Sequence, residues 1–372
     1  MRRTRVAISA AGVGLALCTG ACAQTAAAHA QAAGTTTVHL AAKSAAASAA
    51  NSPPVVGVNL YEEQDYSLAQ TTAWGERDIK YIAKTLGLKA IVIAWNYNVP
   101  GRHSDDVQAT GPLTPSLADI AELTSIAKSY GLRVEYRVLF AVDDSDTRST
   151  SIEPGNLQAW LRSLLTAETP ALKLAESQDV SEFVAGTEMA SIDQSSLWGG
   201  FFDAARQYYH GIVSYASWGG SGSPYEGGFF SGRRVLLPLE YYGASAYPSI
   251  DLPPTATVAE LTSAWEDFLQ NAPESVLERT AIDEIGIAAK AGAYRHPQAF
   301  NGMTGTADNT VQQRWFDAAC RAAGAEHLRG IYFWSMPLND NPSAPYPSLD
   351  LFEGRETSLA VIKGCTRYAE DG

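Results

Sequence analysis

Two short stretches of the chain carry an acid where an apolar run stops. "EFVAGTEMAS" brings Glu188 in after Phe183, Val184 and Ala185, and "TAIDEIGI" brings Glu284 in after Ala281 and Ile282. A carboxyl group in such a place lies at the edge of a core, where it can meet a ligand and where burial alters its hold on a proton. Two carboxyls facing one cavity can share the breaking of a bond to oxygen. One gives a proton to the departing oxygen, and the other attacks or activates water, which is the equipment of a glycosidase. Taken singly, a glutamate ending a strand is more often a helix cap, an ion-pair partner or a solvated rim residue. Everything depends on whether the fold brings them together.

The elements that must do so are legible as an alternation. From Pro53 to about Cys365, eight apolar runs recur, at 55–60, 89–95, 132–140, 182–188, 211–218, 241–247, 280–286 and 328–334. Near-continuous hydrophobicity suits parallel strands buried on both faces. Between the runs lie amphipathic helices, expected at 74–87, 116–131, 156–176, 197–209, 257–269, 309–323 and 354–363. Ser116 with Asp119, and Thr257 with Glu260, supply N-terminal caps, and Gly87 and Gly131 close two helices. The fifth unit is mostly Gly-rich loop between Trp218 and Tyr241. Strand then helix, about eight times over, is the pattern of an α/β chain folded as a single (β/α)8 barrel. A doubly wound sheet would more often show a Gly-rich phosphate loop after its first strand, and "VVGVNLYEEQDYS" has none. In a barrel the C-terminal strand ends share one mouth, so Glu188 on the fourth run and Glu284 on the seventh would face each other. Asp283, one residue earlier, is expected to point away, toward the helices.

A Glu ending strand four and a Glu ending strand seven is the arrangement of clan A glycoside hydrolases. More narrowly, "GTEM" (186–189), "ASAYPSI" (244–250), "DEIGI" (283–287) and "GIYFWSM" (330–336) resemble glycoside hydrolase family 113, in matching order. Its known members are mainly β-mannanases. The resemblance implies Glu188 as general acid/base and Glu284 as nucleophile of a retaining double displacement, with the carboxyls about 5–5.5 Å apart. It implies no metal and no cofactor, and it makes β-1,4-mannan the first substrate to consider. Two positions depart from the pattern. Thr187 stands where the clan commonly has an Asn that holds the sugar 2-hydroxyl, and Tyr136 and Arg137 stand where the family would have Lys-Pro and a polar residue.

Other strand ends supply supporting candidates. Tyr247 ends the sixth run, where its hydroxyl could reach the nucleophile; the alternative is an aromatic packed under a loop. Trp334 ends the eighth run and reads as a platform beneath a sugar, or as a core residue. Trp95 and Asn96 end the second run and Asn59 the first, all three as sugar contacts, and Thr187 joins them. Trp218 ends the fifth run and would line an outer subsite. Asp143 and Asp144 read as rim acids, and neither His210 nor His296 has an evident carboxylate or nucleophile partner.

Composition bounds the rest. With 372 residues, 46% of them hydrophobic, the chain can bury one large core or two ordinary ones. A formal net charge of −13 argues against broad contact with nucleic acid or an anionic membrane. "MRRTR", then "VAISAAGVGLALC", then small residues is the order of a secretory signal, too short in its apolar part to span a bilayer. Residues 1–30 therefore read as an export leader, cleaved after Ala23 or Ala30. "TGAC", ending at Cys22, loosely resembles a lipoprotein cleavage box, so an N-terminal lipid anchor is the one membrane contact considered. Residues 31–52 read as an Ala/Ser/Thr-rich disordered spacer and 53–372 as the barrel. In an exported chain Cys320 and Cys365 are expected to pair, the alternative being two buried thiols; neither has a CxxC or His neighbour, which speaks against zinc. The expected partner is a carbohydrate, bound by a monomer. Competing functions are a non-catalytic carbohydrate-binding barrel, a glycosidase of the same clan acting on another cell-wall or host glycan, and a metal-dependent hydrolase, for which the strand ends offer no His.

Overall fold

The computed structural model describes residues 54–62, 64–143, 149–220, 237–299, 305–344, 352 and 355–369. The leader, the 31–52 spacer, Cys22, Asp144 and most of the Gly-rich stretch after Trp218 lie outside the described residues.

Eight strands form a closed parallel barrel in sequence order. They are β1 (Val55–Glu62), β2 (Ala90–Val99), β3 (Arg133–Val142), β4 (Glu182–Thr187), β5 (Ile212–Gly220), β6 (Tyr242–Tyr247), β7 (Thr280–Ile285) and β8 (Gly330–Pro337). Each overlaps one of the eight apolar runs, with β2 extending four residues past the end of its run. The helices around them are α1 (Leu68–Lys80), α2 (Leu117–Ser129), α3 (Leu157–Ser177), α4 (Leu197–Ala205), α5 (Val258–Leu269), the single turn α6 (Glu274–Leu277), α7 (Asn309–Ala325) and α8 (Glu356–Gly364). The chain is a single (β/α)8 barrel.

Alternation along each strand sorts residues between two layers. On β2, Ile91, Ile93, Trp95 and Tyr97 face outward into the large core shared with the helices, whereas Ala90, Val92 and Ala94 line the barrel interior with Tyr332. Small residues there leave room for large ones. A Cβ at Gly57 would meet the Tyr332 ring at 2.7 Å. The caps read from the sequence form: Ser116 accepts from the Asp119 amide, and Thr257 and Glu260 bond each other reciprocally. Helix α1 begins at Leu68, earlier than its apolar stripe suggested, because Ser67 and Gln70 close a capping box over a polar first turn. A π-helical stretch, Tyr81–Leu86, continues it to Gly87, whose φ of 72° ends it. Cys320 of α7 and Cys365 after α8 form a disulfide.

One irregularity positions the site. The pairing of β7 slips against β6 between Ala244 and Ser245, and against β8 between Ile282 and Ile285. A bulge of this kind inserts an extra residue and re-aims side chains. Ile282 and Ile285 both stay in the outer core, and the two residues between them, Asp283 and Glu284, both turn inward. The expectation that Asp283 faces the helices is thus overturned, since strict alternation fails where the strand bulges. Gly243 of β6 makes the space: a Cβ there would lie 1.8 Å from Asp283 Oδ2.

The interior is rich in acid. Glu62, Glu168, Asp193 and Asp283 are buried, and each has at least one carboxyl oxygen without a hydrogen-bond partner. Burial pushes Glu62 up to about 8, with Asp119 adding to it, and Asp193 up to about 7. Glu168 and Asp283 are raised well above the carboxylate range, again chiefly by burial. A neutral acid tolerates such surroundings and a carboxylate does not.

Two predictions follow from this packing. A raised folded-state value means that the folded protein binds the proton more tightly than the unfolded chain. The stability contributed is complete below the ordinary glutamate value of 4.5 and is lost as pH rises through the folded value, which for Glu62 places the loss between 4.5 and about 8. Each group supplies a slope of at most about 1.4 kcal/mol per pH unit. Denaturant midpoints should therefore fall from about pH 5 to about pH 8, and Glu168→Leu should be more stable than wild type at the upper end, with the gap closing toward the lower. A midpoint that rises with pH, or a constant gap, would contradict it. Separately, Gly243→Ala should lower stability by about 1–3 kcal/mol through overpacking against Asp283, read by the same denaturant titration.

Candidate active site

Strands β1, β4, β6 and β7 converge on a single side chain of β3 that the sequence reading left without a role. Arg137, on β3, is fully buried. Its Nη2 pairs with Glu284 Oε2 at 2.8 Å and donates to Ser245 Oγ at 2.9 Å. Its Nη1 donates to the Asp283 carbonyl at 2.7 Å and to Asn59 Oδ1 at 3.4 Å, and its Nε to Thr187 Oγ1 at 3.3 Å. The guanidinium carries five N–H donors and finds five acceptors. The one sequence signal was an arginine within "LRVEYRVLF", a run read as a buried strand, because a buried arginine must find an acid.

Glu284 is 6% exposed, enough to open onto the mouth. Its second oxygen, Oε1, accepts a hydrogen bond from the Tyr247 hydroxyl at 2.5 Å. Both carboxyl oxygens are therefore held, one by a charge and one by a phenol. Tyr247 is itself buried, and its proton is held far above the usual range by burial, then by Glu284 and, less strongly, by Glu188. The phenol stays a donor at any working pH. Trp218 of β5 stacks on it, ring centroids 5.7 Å apart and 25° from parallel.

Glu188 is the first residue beyond β4. Its φ of 58° lies in the left-handed region, which a residue with a side chain occupies only when its surroundings impose it. Here the Glu188 amide donates to the Ala216 carbonyl at 2.8 Å, and the next amide, of Met189, donates to the Tyr215 hydroxyl at 3.0 Å. The side chain is partly exposed. Thr187, the residue before it, bonds the same Arg137 that pairs with Glu284, so the end of β4 and the inward turn of β7 meet at one guanidinium.

Next to β7, half-buried Trp334 of β8 lies against Tyr61 of β1, with centroids 5.2 Å apart and planes at 40°. The Arg137 guanidinium sits 5.9 Å from the Trp334 ring centre. Asn96 donates to the Tyr61 hydroxyl and keeps a little exposure. Tyr61 was missed in the sequence because it lies inside the first strand, past the Asn59 taken as its end.

Three expected sugar contacts are placed differently. Trp95 points away from the mouth and is packed edge-on to Tyr136 at 5.4 Å, with Phe183 at 6.5 Å, because alternation on β2 sends Asn96 inward and Trp95 out. Asn59 is fully buried, and its amide donates to the Asp283 and Phe333 carbonyls, so it clamps β7 and β8 to β1. Thr187 is buried against Arg137. Asp143 is exposed and accepts from Asn98, as a rim acid would. His210 does have a carboxylate partner, Glu176 at 3.0 Å, but on the surface at the C-terminal end of α3, at the opposite end of the barrel. Among the described residues no group of three or more His, Cys, Asp or Glu could hold a metal ion.

The sequence matches Glycoside Hydrolase Family 113 over residues 64–345. No curated protein sequence matches. The fold is similar to that of the GH113 β-mannanase from Alicyclobacillus acidocaldarius in complex with ManMIm, with 15% identity and a TM-score of 0.69 over 85% of this chain and 98% of that one. A GH113 β-1,4-mannanase complex gives 17% identity and the same TM-score of 0.69, covering 85% and 99%. A family 5 mannosidase from Rhizomucor miehei gives 11% and 0.53, covering 86% and 94%. At such identities the structures speak for the fold, while the family match takes in most of the chain and both glutamates. The protein belongs to glycoside hydrolase family 113 and is a glycoside hydrolase.

Proposed function

We propose that the protein is an exported, retaining β-glycosidase acting on β-1,4-mannan, with Glu284 as nucleophile and Glu188 as general acid/base. The observation that carries this reading is how Glu284 is held: Tyr247 bonds one of its oxygens, and Arg137, which also bonds Thr187 beside Glu188, pairs with the other. In the first half-reaction an oxygen of Glu284 bonds to the anomeric carbon while Glu188 protonates the departing oxygen. In the second, Glu188 takes a proton from water, whose oxygen displaces Glu284. Tyr247 and Arg137 fix the attacking carboxylate, and so supply the orientation on which such a displacement depends. Trp334 and Tyr61 offer a ring face and a hydroxyl to a sugar beside it. Mannan as substrate is supported by the β-mannanases that the fold resembles, and export by the signal-like first 30 residues together with the Cys320–Cys365 disulfide.

Reducing-sugar release from a panel of β-linked polysaccharides tests this. Wild type should release sugar from β-mannan, Glu188→Gln should lose about 10²–10⁴-fold, and Glu284→Gln at least as much. A fluorinated mannoside should leave its label on Glu284. Full activity in Glu284→Gln, or a label on another residue, would overturn the assignment of roles; activity confined to a different polysaccharide would overturn the substrate.

A further inference from the structure

Arg137 does more than fill the barrel. Its charge is paired with an oxygen of Glu284, and Tyr247 holds the other oxygen. Glu284 is anionic before attack, becomes a neutral ester in the glycosyl-enzyme, and is anionic again when that ester is cleaved. A fixed cation stabilises the two anionic states more than the ester between them. It therefore opposes formation of the ester slightly and assists its breakdown.

We propose that Arg137 is a positioning residue that makes Glu284 a good leaving group and so sets the rate of the second half-reaction. The inference rests on the reading of Glu284 as nucleophile. In that step the water oxygen bonds to the anomeric carbon and its proton passes to Glu188. The bond from the anomeric carbon to Glu284 breaks, and its electron pair returns to the carboxylate beside Arg137. Four further contacts keep the guanidinium from following the carboxylate or leaving it. Its bonds to Thr187, Ser245, Asn59 and the Asp283 carbonyl come from β4, β6, β1 and β7. Asn59 Nδ2 bonds the same Asp283 carbonyl at 3.0 Å, so the bulge that turns Glu284 inward is pinned from two sides.

Aryl β-mannosides with a good leaving group separate the two steps, because their first step is fast. In Arg137→Gln, steady-state kcat should fall about ten- to a hundred-fold, the range expected for one hydrogen bond to a charged group. KM should fall with it, leaving kcat/KM nearly unchanged. A burst of phenol should precede turnover, and intact-protein mass spectrometry should show one glycosyl unit accumulated on Glu284. Arg137→Lys, which keeps the charge, should recover much of kcat and lose the burst. A parallel fall in kcat and kcat/KM with no trapped ester, in variants whose thermal unfolding shows them folded, would overturn the role. Variants that do not fold would make Arg137 a structural residue alone and overturn it too. Turnover by Glu284→Gln, or a wild type inert on every aryl glycoside, would instead sink the underlying reading and this inference with it.

Discussion

A guanidinium sealed from solvent inside a closed barrel must find an acceptor for each of its N–H groups, because an unpaired buried donor is costly. Arg137 meets that demand with side chains or carbonyls of four other strands. Much of the mouth can be understood as its consequence. The hydroxyls of Thr187 and Ser245 and the amide of Asn59 are where they are because a buried cation needs neutral acceptors beside its one carboxylate. Removing either member of such a pair leaves a buried charge uncompensated, which costs about 3–5 kcal/mol, although the intact pair gains little over an apolar filling. Its retention points to function more than to stability.

The same constraint explains how far the sequence could be read. Eight apolar runs and their helix caps gave the barrel, since buried parallel strands are hydrophobic on both faces and need no long-range information to be recognised. Glu188 and Glu284 were legible for the same reason, as acids at the ends of such runs. Asp283 and Glu284 were then assigned to opposite faces by simple alternation, and the bulge in β7 defeats that rule. Nothing local in "TAIDEIG" announces a bulge; it is set by pairing with β6 and β8, and by the absence of a side chain at Gly243. Trp95 failed differently. The second run was taken to end at Trp95 and Asn96, whereas β2 continues to Val99, and within a strand a step of one residue exchanges mouth for core.

The two aromatic pairs of the mouth have a geometric logic of their own. Tyr61 and Trp334 come from β1 and β8, Trp218 and Tyr247 from β5 and β6. In a closed order of eight strands the two pairs are separated by β7 alone on one side and by β2 to β4 on the other. Glu188 and Glu284, on β4 and β7, bracket the second pair. A saccharide entering the mouth would meet a ring face on either side of Glu284, with Glu188 beside the second pair alone, which is an asymmetric cleft. Aromatic faces bind sugars without committing to a linkage, so the choice among polysaccharides falls to the loops that rim this cleft.

The two glutamates are also held in opposite ways. Glu284 is fixed from below, with one oxygen on Tyr247 and the other on Arg137. Glu188 is fixed through its backbone, by a left-handed φ and the bond from its amide to Ala216, while its side chain keeps partial exposure. A double displacement asks for this difference. The nucleophile must present the same carboxylate to the anomeric carbon twice, as attacking group and as departing group, and gains from rigidity. The acid/base must hand a proton to one oxygen and later draw one from water, two partners in succession at one place, and contact with solvent serves the second. The buried cation supplies the first condition, and the strained residue at the end of β4 the second.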